Sequence, residues 1–190
     1  MRDRPGPRRR RHPNRRCRVT GAPETKSSGS GTATLPRIAT VAHSGGSNFI
    51  VTSLDRDGTE GDTLVNAIGA YRGSVLFNID EGTFTEALTV KADGPWTIRL
   101  KPIGAAERWT GAVAHGRGDQ VLRLLMPTTG LTTATITHQG SDNFIVNAYS
   151  GTEQQNLINE IGRYDGQALL PDGTALITIS ADGRWNLRRE

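Results

Sequence analysis

Two stretches of the chain are nearly identical, and they decide the fold. Residues 39–51 read ATVAHSGGSNFIV and residues 134–146 read ATITHQGSDNFIV, so that the shared histidines and asparagines stand 95 positions apart. Further along, LVNAIGAYRG at 64–73 matches LINEIGRYDG at 157–166 with a slightly smaller offset. The matched blocks recur in the same order. The number of positions that separates the two copies is constant within a block and changes only from one block to the next. The sequence therefore indicates two copies of one module that differ by small deletions in their loops.

Each copy has the residue pattern of β-structure. A third matched pair, KADGPWTIRL at 91–100 and SADGRWNLRR at 180–189, places an Asp-Gly dipeptide between runs rich in β-branched and aromatic residues. Such a dipeptide is a strong signal for a β-hairpin. Strand and turn patterns alternate about every 8–12 positions through both halves, and no helical period is sustained over three turns. The sequence predicts an all-β protein of two tandem, jelly-roll-like β-sandwich modules.

The predicted modules span residues 29–104 and 115–190, with a connection at 105–114. A module of this length buries only about 60–65% of the surface that its unfolded chain exposes. We therefore expect the two modules to pack against each other through a partly apolar interface. Residues 1–28 are rich in Arg, Pro, Gly and Ser and have no amphipathic period, so we expect a disordered tail there.

The charge of the chain is divided unevenly. Residues 1–37 hold eleven basic and two acidic residues, a net charge of +9, whereas residues 38–190 carry a net charge of −5. No aromatic residue lies among the arginines to stack on bases, so nucleic acid is expected to bind only through the tail, by salt-dependent phosphate contacts. The charged start lacks the apolar stretch of a secretory signal. No run of about 20 apolar residues predicts a membrane span, and the single Cys17 excludes an internal disulfide.

Four polar or aromatic positions recur in both copies and form the candidate ligand site. They are His43, Asn48, Asn66 and Tyr71 in the first copy and His138, Asn143, Asn159 and Tyr164 in the second. Imidazole, amide and phenol groups together are suited to a polar pocket for a sugar or small ligand. The preferred alternative is structural: one asparagine caps a turn, the other satisfies a bulge near Ile68-Gly69 or Ile161-Gly162, and the tyrosine anchors a corner.

Two further motifs have a binding and a structural interpretation. Asp55-Arg56-Asp57-Gly58 resembles the start of a calcium loop, which makes Asp55 and Asp57 weak metal candidates. The second copy lacks these carboxylates, so a hairpin turn with Asx hydrogen bonds is the preferred interpretation, and no cofactor is expected. Arg117-Gly118-Asp119 matches a tripeptide of cell-adhesion ligands, but these are common turn residues and adhesion would require an exposed loop tip.

The tryptophans are predicted to divide between core and surface. Trp96 alternates with Ile98 at a period of two, as Trp185 does with Leu187, so both indoles are predicted to lie on the apolar face of a strand. Trp109 has no counterpart in the other copy and is the better candidate for a surface position.

The pattern GxSNFIV…LVNxIGxYxG…LxVxADGxWTI resembles small β-sandwich modules of bacterial, often actinobacterial, surface and secreted proteins, akin to pre-peptidase C-terminal-type domains. The resemblance covers about residues 39–103 and 134–187. It implies a non-catalytic accessory role and a location at the cell surface or outside the cell.

The sequence therefore predicts a non-catalytic binding protein that engages a polymer or a partner protein. An alternative is an intracellular protein whose arginine-rich tail tethers it to nucleic acid or acidic partners. A third is a hydrolase with a site built across loops. An enzyme is not expected, because the chain has neither a G-x-S-x-G nor a His-Glu-x-x-His motif, and no carboxylate stands at the same short spacing from both His43 and His138.

Overall fold

The computed structural model describes residues 18–21, 35–80 and 82–190. Within them, every regular segment is a β-strand except for one short 3-10 helix at Ile103–Ala105, so the predicted all-β class is confirmed. No helix in this part of the chain has the length and apolar character needed to cross a membrane.

Seven strands form the N-terminal half of the molecule. They are β1 (Arg18–Gly21), β2 (Arg37–His43), β3 (Asn48–Leu54), β4 (Glu60–Ile68), β5 (Tyr71–Phe77), β6 (Ala87–Lys91) and β7 (Trp96–Pro102). One sheet has the order β1-β7-β2-β5 and the other the order β4-β3-β6, and all neighbouring strands are antiparallel. One core cluster takes side chains from both sheets, which therefore face each other as a sandwich.

Nine strands form the C-terminal half. They are β8 (Glu107–Trp109), β9 (Val113–Arg117), β10 (Gln120–Leu124), β11 (Thr132–Gln139), β12 (Asn143–Ser150), β13 (Glu153–Ile161), β14 (Tyr164–Leu170), β15 (Leu176–Ser180) and β16 (Arg184–Arg189). The sheets have the orders β14-β11-β16-β9 and β13-β12-β15-β10-β8. The order β5-β2-β7 thus corresponds to β14-β11-β16, and β4-β3-β6 corresponds to β13-β12-β15.

The two Asp-Gly turns do not form hairpins, and that prediction was wrong. β6 pairs with β3, whereas the strand that follows it, β7, pairs with β1 and β2 in the opposite sheet. The connection at 92–95 therefore crosses from one sheet to the other, as do those at 44–47 and 69–70. We call these crossings arches and the end of the sandwich where they meet the arch end. In the C-terminal half the arches lie at 140–142, 162–163 and 181–183.

Alternation along the strands places both repeated indoles inside, as predicted. Trp96 and Trp185 are each 3% exposed and lie in the two separate core clusters. The ring of Trp185 occupies the space where a side chain at Gly116 would project, since a Cβ there would lie 2.4 Å from a ring carbon. Its Nε1 donates a hydrogen bond to the carbonyl oxygen of Gly118 at 3.0 Å.

The surface position predicted for Trp109 was wrong, because this indole is 1% exposed and belongs to the core of the C-terminal half. β8 runs parallel to β10 at the edge of a sheet and so directs Trp109 inward. The guanidinium of Arg189 lies over the indole ring, 5.6 Å from its centroid. A strand of three residues is too short for an alternating pattern to distinguish its inner face from its outer face, so the sequence does not predict the burial of Trp109.

The strand limits differ from the predicted boundaries at two places. β8 and the start of β9 lie inside 105–114, the range predicted to be a connection, and both belong to sheets of the C-terminal half. Within the tail, residues 18–21 form the short strand β1, which pairs with β7. The rest of the tail predicted to be disordered, residues 1–17 and 22–28, lies outside the described residues.

Candidate functional site

The imidazole of His43 joins the three arches of the N-terminal half. His43 is the last residue of β2, and its side chain is fully buried. Its Nδ1 lies 2.8 Å from the carbonyl oxygen of Gly69, and its Nε2 lies 3.2 Å from Oδ1 of Asp93. The ring stacks on Phe49 with centroids 4.3 Å apart and an interplanar angle of 7°. We call His43, Gly69 and Asp93 the histidine clamp.

The carboxylate of Asp93 is itself held by the first arch. Its Oδ2 accepts hydrogen bonds from the backbone N–H groups of Gly46 and Ser47, each at 2.9 Å. The N–H of Gly46 is the main cause that lowers the pKa of Asp93 below its usual value, and the N–H of Ser47 and the nearby His43 lower it further. Asp93 is therefore an ionised group that fastens one arch to another.

The C-terminal half repeats this clamp. His138 places Nδ1 2.6 Å from the carbonyl oxygen of Gly162 and Nε2 3.3 Å from Oδ1 of Asp182, and its ring stacks on Phe144 at 4.3 Å. The backbone N–H and the hydroxyl of Ser141 both donate to Oδ2 of Asp182, at 2.9 and 3.1 Å. The N–H of Ser141 is the main cause that lowers the pKa of Asp182.

Hydrogen-bond chemistry defines what the clamp does. A carbonyl oxygen only accepts, so Nδ1 of each histidine must donate to its glycine. Nε2 of His43 faces a carboxylate oxygen at 3.2 Å, but without the alignment of a hydrogen bond. In both rings Nδ1 is thus bonded to a glycine carbonyl and Nε2 faces an aspartate, so His43 and His138 each connect the arches around them.

Two glycines make the clamp sterically possible. A Cβ built at Gly45 would lie 2.0 Å from Oδ1 of Asp93 and 2.5 Å from Nε2 of His43. A Cβ at Gly140 would meet Asp182 and His138 at 2.0 and 2.5 Å. The spacing His-x-Gly in both copies therefore has a packing cause, since only glycine leaves room for the carboxylate beside the ring.

The two carboxylates of the clamps are not among the site residues predicted from the sequence. The sequence predicts Asp93 and Asp182 only as turn residues, and no carboxylate stands at the same short spacing from both histidines. The available signal was that Ala-Asp-Gly recurs in both copies together with the histidine. The spacing differs between the copies because the loops between the two motifs differ in length, and contact across arches does not require a constant spacing.

Tyr71 has a different role from the predicted corner anchor. Its hydroxyl donates to Oδ2 of Asp119 at 2.6 Å, and Oδ1 of Asp119 accepts the backbone N–H of Ala181 at 2.9 Å. Burial and the adjacent carboxylate raise the pKa of Tyr71 strongly. The tyrosine therefore joins the two halves of the molecule, and the aspartate of the Arg-Gly-Asp tripeptide is engaged within the protein.

The contact between the halves extends beyond this hydrogen bond. The N–H of Ser74 donates to the carbonyl oxygen of Asp119 at 2.9 Å, and the N–H of Val121 donates to the hydroxyl of Ser74 at 3.1 Å. A small apolar cluster lies beside these bonds and consists of Ile38, Leu76, Ala106 and Val121. The contact between the halves thus combines hydrogen bonds with a small apolar cluster.

A groove of about 1210 Å³ lies between the halves at the arch end of the N-terminal half. Of the eight predicted site residues, the structure brings four together in its walls: His43, Asn66, Tyr71 and Asn143. The others are elsewhere. His138 and Tyr164 line a separate depression of about 310 Å³, and Asn48 and Asn159 are exposed outside the groove.

The asparagines do not satisfy a bulge at the predicted position. The first register shifts of the β3–β4 and β12–β13 pairs leave Leu64 and Leu157 without a partner, two positions before Asn66 and Asn159, and not residues 68–69 or 161–162. Gly69 and Gly162 instead have positive φ angles of 83° and 85° in the arches, a conformation that glycine adopts without strain. At the positions predicted to be bulges, the chain therefore turns through these glycines into the opposite sheet.

The Asp55 carboxylate forms a turn. Its Oδ1 accepts the backbone N–H groups of Asp57 and Thr59 at 2.9 and 2.8 Å, in the connection between β3 and β4. Among the described residues, no group of three or more histidine, cysteine, aspartate or glutamate side chains is arranged to hold a metal ion.

Comparison with known proteins identifies no relative: no family model matches the chain, and no curated protein does.

Proposed function

We propose that the protein is a non-catalytic binding protein and that the groove between its halves takes an extended segment of a polymer. The observation that carries the proposal is the groove itself, to which both halves contribute walls. Its volume of about 1210 Å³ exceeds the range of about 300–1,000 Å³ typical of small-molecule pockets. An open channel of this size suits a chain-like ligand better than an isolated metabolite.

The chemistry of the walls supports a neutral or partly polar polymer. Asn66 and Asn143 are exposed and offer amide donors and acceptors from opposite halves. Ile68 is 82% exposed beside them and offers apolar contact area. A polysaccharide presents both hydroxyl groups and apolar ring faces, so this combination fits its surface. The resemblance to modules of bacterial surface proteins supports a location at or outside the cell surface.

A binding role is favoured over a hydrolase because of the state of the two histidines. A general base needs one ring nitrogen free to accept a proton from substrate or water. In each clamp one nitrogen donates to a backbone carbonyl and the other faces a carboxylate. His43 borders the groove and His138 a separate depression, but both side chains are fully buried, so neither ring is accessible to a substrate.

Asparagine substitutions in the groove test the proposal. We expect the full chain to bind at least one of a panel of purified cell-wall polysaccharides, and Asn66→Ala combined with Asn143→Ala to weaken that binding without changing the melting temperature. Asn48→Ala combined with Asn159→Ala is the matched control, since both residues are exposed outside the groove. Equal binding by the two double variants would contradict the groove as the site.

The tail-based alternative requires a second comparison. Removing residues 1–17 eliminates the arginine cluster while keeping β1, which pairs with β7. If the groove is the site, polymer binding persists and depends weakly on salt. If binding disappears with the tail and falls steeply with added salt, the protein is tethered through phosphate-type contacts and the alternative is correct.

A further inference from the structure

Three arginines surround a second concavity, at the arch end of the C-terminal half. Arg117, Arg163 and Arg184 line this depression of about 530 Å³ and come from β9, the 162–163 arch and β16. All three side chains are exposed. The depression adjoins the groove between the halves, because Arg117 and Asp182 line both.

The arginines are arranged in a way that costs folding free energy. Arg117 and Arg184 stand directly opposite each other in the antiparallel pair of β9 and β16, so their side chains share the outer face of the sheet. Like charges in this position repel. Within the described part of the chain, no Asp or Glu oxygen lies within 4.0 Å of any of the three guanidinium groups. None of the three guanidinium groups is therefore engaged in an ion pair with a described carboxylate.

The one carboxylate in the depression is already engaged. Oδ2 of Asp182 accepts the N–H and hydroxyl of Ser141, and Oδ1 faces the imidazole of His138. Asp165 stands two positions after Arg163 and lines the neighbouring depression. With acidic groups so near and a body of net charge −5, the site suits one compact anion better than a dense polyanion such as nucleic acid.

The cluster is a feature of the second copy alone. The matched blocks place Ala70 at the position equivalent to Arg163 and Pro95 at the position equivalent to Arg184. The arch ends of the two halves share the clamp, so the fold requires His43 and His138 but not the arginines. Binding sites often retain residues that lower the stability of the folded protein because function requires them. A repulsive charge cluster that the fold does not need fits this description.

We propose that Arg117, Arg163 and Arg184 form a binding site for a single oxyanion: a carboxylate, sulfate or phosphate group. Guanidinium groups bind such anions through paired, parallel hydrogen bonds, and the exposed Gln139 adds a neutral amide at the rim. The anion has two sources, a free ion or an acidic substituent on the polymer in the adjoining groove. Only the second source rests on the proposed function.

Thermal unfolding of the full chain tests the site with inorganic phosphate as the probe. At constant ionic strength, replacing chloride by phosphate raises the melting temperature of the native protein in a saturable manner. Arg163→Gln combined with Arg184→Gln begins at a higher melting temperature, because the repulsion is relieved, and binds phosphate at least about tenfold more weakly. Lys91→Gln combined with Arg188→Gln is the charge-matched control, since both residues are exposed outside the depression and have no basic residue opposite them in the sheet, and it responds like the native protein.

Two results would overturn the site. One is an equal phosphate response in the two double variants, which would reflect general screening or the arginine-rich tail. The other is the lack of any saturable response in the native protein.

A second experiment identifies the source of the anion. It compares the binding of an acidic oligosaccharide of uronic acids with that of its neutral counterpart. Preferential binding of the acidic chain, lost in Arg163→Gln/Arg184→Gln, supports an acidic polymer. If phosphate binds but neither oligosaccharide does, the anion site stands, the acidic polymer is overturned as its ligand, and polysaccharide binding in the groove is contradicted for these chains. Asn66→Ala combined with Asn143→Ala retains the phosphate response in either case.

Discussion

Replacing Gly45 by alanine is predicted to open the histidine clamp of the N-terminal half. The new Cβ would lie 2.0 Å from Oδ1 of Asp93 and 2.5 Å from Nε2 of His43, whereas ordinary contacts begin at 3.4 Å. The exposed carboxylate can withdraw by about 1.4 Å, but the His43 ring is enclosed, so the backbone at Gly45 must also shift away from the ring. Withdrawal separates the carboxylate from the ring and strains its hydrogen bonds to Gly46 and Ser47.

The free energy of unfolding is expected to fall by about 1–3 kcal/mol, the usual cost of inserting a methyl group into a closely packed site. With a urea m-value of about 2 kcal/mol/M, the unfolding midpoint falls by about 0.5–1.5 M. Tryptophan fluorescence follows the transition, since Trp96 lies in the same core.

Gly46→Ser is the control for this experiment. The nearest atom to a Cβ at Gly46 is Oδ2 of Asp93 at 4.0 Å, which is an ordinary contact, and the second copy has Ser141 at the equivalent position. We expect no loss of stability from this change. A Gly45→Ala protein that unfolds at the native urea midpoint would refute the reasoning, because the carboxylate would then not be held beside His43 in solution.

Three other substitutions test the packing of the core, the contact between the two halves and the loss of stability at low pH. Trp185→Ala is expected to cost about 3–5 kcal/mol in urea unfolding; an unchanged melting temperature with lost polymer binding would place the indole at a ligand instead. Tyr71→Phe removes the hydroxyl bond to Asp119 and should cost about 1–2 kcal/mol by calorimetry, whereas Tyr164→Phe, which has no described hydroxyl partner, should be neutral; equal losses would exclude a special role for the first. The folded-state pKa of Asp182 is lowered, so its contribution is present above the unfolded pKa of about 3.9 and is lost as the pH falls through the folded value. Asp182→Asn should therefore flatten the acid side of a profile of melting temperature against pH, and an equally steep profile would contradict this.

The sequence by itself determined the all-β class and the burial of the two repeated indoles. Both follow from local information. Side chains alternate between the two faces of a strand, so the period-two pattern around Trp96 and Trp185 distinguishes inside from outside without reference to any partner. The internal repeat adds a second observation of the same pattern, which is why the matched blocks were informative even where each was short.

Only the tertiary structure decided which strands pair and which groups meet. An Asp-Gly turn is compatible with a hairpin and with an arch. It forms an arch here because β6 pairs with β3 in one sheet and β7 pairs with β2 in the other. The same arch carries Asp93 to His43, a partner fifty positions away in the chain. Trp109 is buried because β8 joins β10 in a parallel pair. Each of these contacts joins chain segments that are distant in sequence. The alternation of apolar and polar residues within a strand does not indicate which strand lies beside it in the sheet or opposite it in the sandwich.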